Sequence, residues 1–335
     1  MFGVAALAAI CVLAVTSGAH AGSRLESIRN KGFLTCGIWP QVPGFAAPKD
    51  GGGYQGLDID TCRAVSAAIF GDPDKVTYVI AENVRQFHDS AVDLVARRIT
   101  WSLTRATANG LMFGPVTFYD GQGLLVPHTS GITAAKQLAG KSVCVQAEEA
   151  HAATLTSYFH SLGLMVTAVA SETPAQAEQA MKAGTCAAYS ADVSILAGAR
   201  AAMAGGIAAY DILPEKMSKE PLAPLVRQGD DQFFEIVRWT IFAQIAAEER
   251  GITSQNVGDN HSRADAETQR LLGLIPGNGL ALGLDEKWAV NVVKGVGNYG
   301  EMFDRNVGKN SPLKMERDLN RLWSDGGLMY TPRLR

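Results

Sequence analysis

The sequence predicts an α/β protein of two lobes, with a chain that crosses between the lobes twice. A chain of 335 residues is too long for one ordinary core. Short apolar strands alternate with helical stretches in two successive arrays, which is typical of βαβ units with mainly parallel sheets. A connector follows each array, at residues 118–127 and 217–231. In such architectures ligands bind at the carboxyl ends of strands, in the cleft between the lobes.

The elements of the two arrays are predicted from their apolar patterns. The first array has apolar strands at 32–39 and 75–80, and between them apolar residues recur at helical spacing from 59 to 70. The second array contains three strands separated by two helices: strands at 141–146, 165–170 and 186–191, and helices near 150–161 and 173–183. A long helix is predicted at 231–249, before a tail rich in Gly and Asn.

The N-terminus has the features of an export signal. Residues 2–15 are apolar but too short to span a bilayer comfortably, and Ala19-His20-Ala21 fits a signal-peptidase site. We therefore expect a signal peptide at 1–21 and a soluble, periplasmic mature chain that begins near Gly22. No positive charge precedes the apolar stretch, so a membrane anchor or a buried helix is the alternative.

Charge and cysteine content exclude several classes of function. The chain has 30 basic and 33 acidic side chains and no basic run, which argues against nucleic acid as a partner. After loss of Cys11, an even number of cysteines enters an oxidising compartment, which predicts disulfides with three possible connectivities. The cysteines form no CxxC pair and the histidines lack ligand spacing, so no metal site is predicted.

No motif predicts catalysis or a cofactor. Residues 139–142 are similar to the end of a phosphate loop, but Ala135 stands where the first glycine is required, and Lys141 precedes a strand. The residues of a zwitterion-binding site are present instead. Cations and hydroxyls follow the apolar segment VDLVA in residues 97–105, and Asp192 follows the strand CAAYSA. Such groups bind a carboxylate and an ammonium.

Four long segments resemble a known family. They are GLDIDTCRAVSAAIFGD (56–72), GPVTFYDGQGLLV (114–126), SKEPLAPLVRQGDDQFFEIVRWTIFA (218–243) and VGNYGEMFDRNVG (296–308). The family is the extracytoplasmic solute-binding proteins of polar-amino-acid ABC transporters, nearest the general L-amino-acid-binding subfamily. The resemblance covers nearly all of the mature chain.

The resemblance implies a type II periplasmic-binding-protein fold, in which two α/β lobes are joined by a two-stranded hinge. Lobe 1 would comprise 22–126 and, with a C-terminal extension, 221–335; lobe 2 would comprise 127–220. The protein would be a non-enzymatic monomer without a cofactor. It would close over one free amino acid and deliver it to ABC transporter permease subunits in the inner membrane. The family's cysteine placement implies two bridges inside single lobes, Cys36–Cys62 and Cys144–Cys186.

The resemblance also implies a role for individual cleft residues. Arg105 would bind the ligand α-carboxylate, Thr100 and Ser102 would add hydrogen bonds, and Asp192 would bind the α-ammonium. Arg105 could instead be a solvated loop cation, and Asp192 could cap a helix. Trp39 would either stack on the ligand side chain or pack as a buried aromatic.

The sequence departs from the family pattern at the predicted cleft. Glu148-Glu149-Ala150 replaces a Gly-Thr-Thr-like turn that would contact the ligand carboxylate, and Arg98 replaces a small polar residue. The segment 87–93 is also shorter than the family pattern. Glu148 and Glu149 could simply face the dipole of the following helix. As ligand-binding residues they would favour cationic amino acids, and Arg98 could pair with one of them across the closed cleft.

Two other functions are compatible with the same fold. One is a ligand-sensing domain that partners a membrane signalling protein instead of a permease. The other is an enzyme similar to cyclohexadienyl dehydratase, although no positioned acid/base pair is evident in the sequence.

Overall fold

The computed structural model describes residues 24–82, 87, 91–108, 110–147, 149–259 and 264–334. These residues form two α/β lobes, each built on a five-stranded sheet. The predicted signal peptide at 1–21 lies outside the described residues. Within the described part of the chain, no helix has the length and apolar character needed to cross a bilayer.

Lobe 1 is built on a sheet with the strand order β4-β1-β5-β14-β6. Its strands are β1 (Leu34–Ile38), β4 (Val76–Ile80), β5 (Leu94–Val95), β6 (Leu111–Phe113) and β14 (Leu225–Arg227), and a small hairpin adds β2 (Ala47–Pro48) and β3 (Tyr54–Gln55). Its helices are α1 (Arg24–Lys31), α2 (Leu57–Phe70), α3 (Leu103–Ala108), α7 (Asp231–Glu249), α8 (Ala266–Leu271), α9 (Asn278–Leu282), α10 (Trp288–Val296) and α11 (Tyr299–Asn306).

Lobe 2 is built on a sheet with the order β10-β9-β11-β8-β12. Its strands are β8 (Gln122–Pro127), β9 (Ser142–Gln146), β10 (Thr167–Ser171), β11 (Ala188–Asp192) and β12 (Tyr210–Ile212), and its helices are α4 (Glu149–Ser161), α5 (Pro174–Lys182) and α6 (Val193–Ala202). The strands and helices predicted from the apolar pattern are present in both lobes, with ends that differ by about two residues, as is usual for element boundaries.

The expectation of mainly parallel sheets was only half correct. In lobe 1, β1 is parallel to β4 and β5, but β14 is antiparallel to both of its neighbours. In lobe 2, β9 is parallel to β10 and β11, but β8 is antiparallel to both of its neighbours. The cause is the way these two strands enter their sheets. β8 and β14 come directly from the hinge, without the crossover helix that keeps successive strands parallel.

The two lobes are joined by a two-stranded antiparallel hinge of β7 (Phe118–Asp120) and β13 (Glu220–Leu222). Tyr119 lies opposite Pro221 in this pair. Because β8 already pairs with β11 and β12, we place the first crossing at Gly121, earlier than the expected boundary at 126. A Cβ on Gly121 would lie 2.6 Å from the Ser218 carbonyl oxygen, so the hinge strand can pass here only with glycine.

Each lobe has its own core and its own disulfide. The lobe 1 core packs α2 and α7 against the sheet, and lobe 2 has an apolar cluster on each face of its sheet. The bridges are Cys36–Cys62, which ties β1 to α2, and Cys144–Cys186, which ties β9 to the residues before β11. The predicted pairing is therefore confirmed, and neither bridge crosses the hinge.

The C-terminal segment, residues 307–334, contacts both lobes and the hinge. The Asn320 side chain accepts a hydrogen bond from the Tyr119 N–H at 2.7 Å and donates to the Tyr119 carbonyl at 3.1 Å. Lys216, beside the hinge, pairs with Asp318. The segment ends on lobe 1, where the Leu334 N–H donates to the Glu267 carboxylate at 2.8 Å. The hinge strand β7 is thus held by the end of the chain as well as by β13.

Candidate functional site

The lobe 1 side of the candidate site is the loop that joins β5 to α3, residues 96–102. Its backbone is anchored to the sheet and to the second hinge crossing. The Trp101 N–H donates to the Pro221 carbonyl at 2.8 Å, and the Ala223 N–H donates to the Ile99 carbonyl at 3.1 Å. Because β13 fixes the loop, its side chains keep a constant relation to the hinge.

The structure brings Thr100, Ser102 and Arg105 together, but their polar groups contact each other and the hinge. Thr100 Oγ1 donates to Glu220 Oε2 at 2.7 Å, and Ser102 Oγ accepts from the Arg105 N–H at 3.3 Å. The Arg105 guanidinium is exposed and donates to the Thr100 carbonyl at 3.1 Å. Within the described part of the chain this is the one hydrogen bond of the guanidinium, and it leaves most of the five N–H donors available.

Arg97 lies beside this group and stacks on Trp39. The distance from the Arg97 guanidinium carbon to the Trp39 ring centroid is 5.6 Å, so Trp39 packs against a cation in the partly buried wall. Burial lowers the pKa of Arg97, and the charge of Arg105 lowers it further, while Asp58 acts in the opposite direction. Among the described residues, Arg97 and Arg105 form no ion pair with a carboxylate. The lobe 1 wall therefore presents two guanidiniums to an anion.

The lobe 2 side of the site is centred on Asp192, the last residue of β11 and the residue before α6. Its side chain makes no capping hydrogen bond to that helix. Asp192 Oδ1 lies 3.3 Å from Nε2 of His151, a residue in the first turn of α4. Its other oxygen, Oδ2, lies 3.2 Å from Nη2 of Arg98 in lobe 1.

Arg98 is the side chain that connects the two walls. Besides Asp192, its Nη2 donates to Ser194 Oγ at 2.7 Å and lies 3.5 Å from Asp120 Oδ2 in the hinge. The Arg98 side chain is only 10% exposed. Its guanidinium carbon lies 5.1 Å from the centroid of the Phe45 ring. An arginine of lobe 1 is thus buried against a carboxylate of lobe 2.

Three carboxylates around Arg98 have shifted pKa values. Burial raises the pKa of Asp58 to about 7, although the guanidiniums of Arg98 and Arg97 oppose the shift. Burial also raises the pKa of Asp120, and the negative charge of Asp192 adds to this effect. For Asp192 burial acts in the same direction, but the His151 hydrogen bond and the Arg98 charge outweigh it and lower its pKa. Asp192 is therefore the ionised partner of Arg98.

Glu148 lies outside the described residues, and Glu149 is the first residue of α4. The strand before α4, β9, lies next to β11, which ends at Asp192, in the sheet order. The described hydrogen bonds of the Arg98 side chain go to Asp120, Asp192 and Ser194.

A cavity of about 750 Å³ lies away from this site, between the β2–β3 hairpin, α2, α6 and the C-terminal segment. None of the predicted ligand-binding residues lines it. Most of its charged groups pair with one another: Asp60 contacts Arg305 at 2.5 Å and Arg63 at 3.5 Å. The described residues contain no group of three or more His, Cys, Asp or Glu that could hold a metal ion.

The family model of bacterial extracellular solute-binding proteins, family 3, matches residues 34–254. This match covers more than half of the chain and includes both hinge strands and the residues around Arg98. The chain belongs to this family.

Relatives of this family-3 protein match it over almost its whole length. The general L-amino acid-binding periplasmic protein AapJ of Rhizobium johnstonii is 43% identical over 97% of this chain and 96% of its own. The glutamate/glutamine/aspartate/asparagine-binding protein BztA of Rhodobacter capsulatus is 41% identical over 100% of this chain and 98% of its own. A solved ABC transporter periplasmic binding protein from Brucella ovis with glutathione bound is 42% identical, with a TM-score of 0.84, and covers 93% of this chain and 99% of that one.

Three residues of the candidate site were not predicted from the sequence. His151, Asp120 and Ser194 join the group through Asp192 and Arg98. Asp120 and Ser194 could have been found from their position, since Asp120 is the last residue of β7 and Ser194 lies two residues after the end of β11, in the first turn of α6. His151 is the third residue of α4 and has no comparable signal in the sequence.

Proposed function

We propose that this protein is the ligand-capturing component of an amino-acid ABC importer in the periplasm. It acts as a monomer that closes its two lobes over a free amino acid and then docks on permease subunits in the inner membrane. The family, and full-length relatives named as amino-acid-binding proteins, support this proposal. The observation that carries it is the pair of guanidiniums, Arg97 and Arg105, without a carboxylate partner among the described residues at the predicted cleft.

In this proposal Arg105 binds the ligand carboxylate and Arg97 adds positive charge beside it. A guanidinium can donate two parallel hydrogen bonds to a carboxylate, which provides orientation as well as affinity. Ser102 and Thr100 position Arg105: the Ser102 hydroxyl oxygen accepts the Arg105 backbone N–H, and the Thr100 carbonyl accepts the Arg105 guanidinium. The Thr100 hydroxyl itself donates to Glu220. Trp39 supports Arg97 on the opposite side.

A thermal-shift screen of the mature protein tests the proposal. The panel contains the twenty common amino acids and glutathione, the latter because of the Brucella ovis relative. A ligand that binds only the folded state adds about 2.7 kcal/mol of stability at a concentration 100-fold above its Kd. We expect at least one amino acid to raise the melting temperature. A panel without any such amino acid would contradict the proposed function.

The ligand preference is the part of the proposal that depends on Glu148 and Glu149. We expect the triple variant Glu148→Gly, Glu149→Thr, Ala150→Thr to bind neutral amino acids more tightly than the wild type does. Each carboxylate near a ligand carboxylate would repel it by roughly 1–4 kcal/mol at about 4 Å. Cationic amino acids should gain less or lose affinity. Calorimetric titration with glutamate, glutamine and arginine measures the change.

Glu172→Thr is the matched control for this variant. Glu172 is an exposed glutamate in another strand-to-helix turn of lobe 2, between β10 and α5. Replacing Glu172 removes a negative charge from a turn of the same type, but this turn follows β10, the edge strand of the sheet. If the triple variant ranks the three amino acids as the wild type does, the two glutamates only stabilise the start of α4.

A further inference from the structure

The cleft contains a cation of its own at the carboxylate where a ligand ammonium would bind. Both oxygens of Asp192 have partners: Oδ2 contacts Arg98 at 3.2 Å, and Oδ1 contacts His151 at 3.3 Å. Asp192 carries one negative charge, and the Arg98 guanidinium already pairs with it. A ligand ammonium at Asp192 would also lie close to the positive charge of Arg98, which repels it.

The position of Arg98 is built into the fold and does not depend on a flexible surface side chain. Arg98 has a φ of 56°, a left-handed conformation that is uncommon for residues other than glycine. The buried carboxylate of Asp58 accepts the Arg98 backbone N–H and so stabilises this conformation. The Phe45 ring lies against the guanidinium, and Ser194 accepts its shortest hydrogen bond. The guanidinium is therefore aimed at Asp192 by its backbone and by its packing.

We propose that Arg98 is a specificity-determining residue that takes the place of a ligand α-ammonium at Asp192. This inference rests on the proposed function. The cleft then does not require an α-amino group. It accepts carboxylic acids that carry the side chain of an amino acid but lack the ammonium, such as ω-guanidino and ω-amido acids. The ligand is recognised by its carboxylate, at Arg105, and by its side chain.

Matched ligand pairs that differ only in the α-amino group test this inference. The pairs are L-arginine with 5-guanidinopentanoate and L-glutamine with glutaramate, titrated calorimetrically into the wild-type protein. An ammonium that pairs with a free, desolvated carboxylate would make the amino acid bind roughly 30-fold tighter or more. The ratio of interest is the Kd of the analogue without the α-amino group divided by the Kd of the amino acid. We expect this ratio to stay below about tenfold in the wild type.

Arg98→Asn removes the internal cation, and asparagine tolerates the left-handed backbone. We expect this variant to raise the ratio at least about tenfold in favour of the free amino acid, because Asp192 becomes available to the ammonium. Arg98→Lys keeps the charge and should keep the wild-type ratio. A change of less than tenfold in Arg98→Asn, or a wild-type ratio already above that value, would overturn the inference.

A second variant keeps the test decisive if Arg98→Asn does not fold. In Asp192→Asn both members of a pair should lose or gain affinity together, so that their ratio changes by less than about tenfold. A larger selective loss of the amino acid would show that Asp192 binds the ammonium directly and would overturn the inference. If no amino acid binds the wild type, the proposed function itself fails, which is a different result from binding with a large ratio.

Discussion

Arg105→Ala is expected to abolish high-affinity ligand binding and to leave the fold intact. Removing one member of a desolvated charge pair costs roughly 2–5 kcal/mol of binding free energy. The Arg105 guanidinium is exposed, and among the described residues it makes one hydrogen bond, to the Thr100 carbonyl, so its loss removes little from the folded state. Calorimetry with the amino acid identified by the thermal-shift screen measures the effect on binding, and a melting curve measures the effect on stability.

Arg29→Ala is the matched control for this experiment. Arg29 is also exposed and also donates to one backbone carbonyl, that of Gly283, but it lies on α1 at a distance from the hinge. Its replacement should leave the affinity unchanged. If Arg105→Ala binds the ligand as tightly as Arg29→Ala does, Arg105 is a solvated loop cation and the carboxylate is held elsewhere.

Removal of either disulfide is expected to lower the free energy of unfolding of its own lobe by roughly 2–5 kcal/mol. The two bridges close loops with sequence separations of 26 and 42 residues. A cross-link reduces the entropy of the unfolded chain slightly more when the loop is longer. The double alanine variant at Cys144 and Cys186 should therefore lose at least as much stability as the variant at Cys36 and Cys62.

The positions of the tryptophans allow the two lobes to be followed separately in urea. All five tryptophans, Trp39, Trp101, Trp239, Trp288 and Trp323, lie outside lobe 2. Loss of the lobe 1 bridge should move the fluorescence transition to a lower urea concentration. Loss of the lobe 2 bridge should instead make part of the circular-dichroism signal disappear at a lower urea concentration than the fluorescence transition. Reduction of the wild-type protein is the control, because it breaks both bridges without a substitution. If the oxidised wild type and the two double variants give the same unfolding curves, the prediction is contradicted.

The local elements were predictable because their signals are local. The apolar strand at 141–146 and the helical spacing at 59–70 are read from adjacent residues, and β9 and α2 formed there. The direction of each strand within its sheet was harder to predict from the sequence. Whether β14 joins its sheet parallel or antiparallel depends on the hinge crossing that precedes it, and no periodicity within Leu225–Arg227 carries that information.

The candidate site was predictable in its location but not in its internal contacts. The sequence placed Thr100, Ser102 and Arg105 together because they are neighbours in the chain. The partner of the Thr100 hydroxyl is Glu220, 120 residues away, and only the pairing of the hinge strands brings the two together. Arg98 was recognised as unusual from the sequence. Its contact with Asp192, 94 residues away, needed the relative position of the lobes.

Both described ends of the chain lie on lobe 1, and this determines how a fluorescent sensor could be built from the protein. The Arg24 N–H donates to Asp230 Oδ2 at 2.6 Å, just before α7, and the Leu334 N–H is held by Glu267 of α8. Donor and acceptor fluorophores fused at the two ends would move together as the lobes close, and energy transfer between them would not change. One fluorophore therefore has to be inserted into lobe 2, and the α4–β10 turn, with Leu162 and Met165 49% and 79% exposed, offers a solvent-facing position for it.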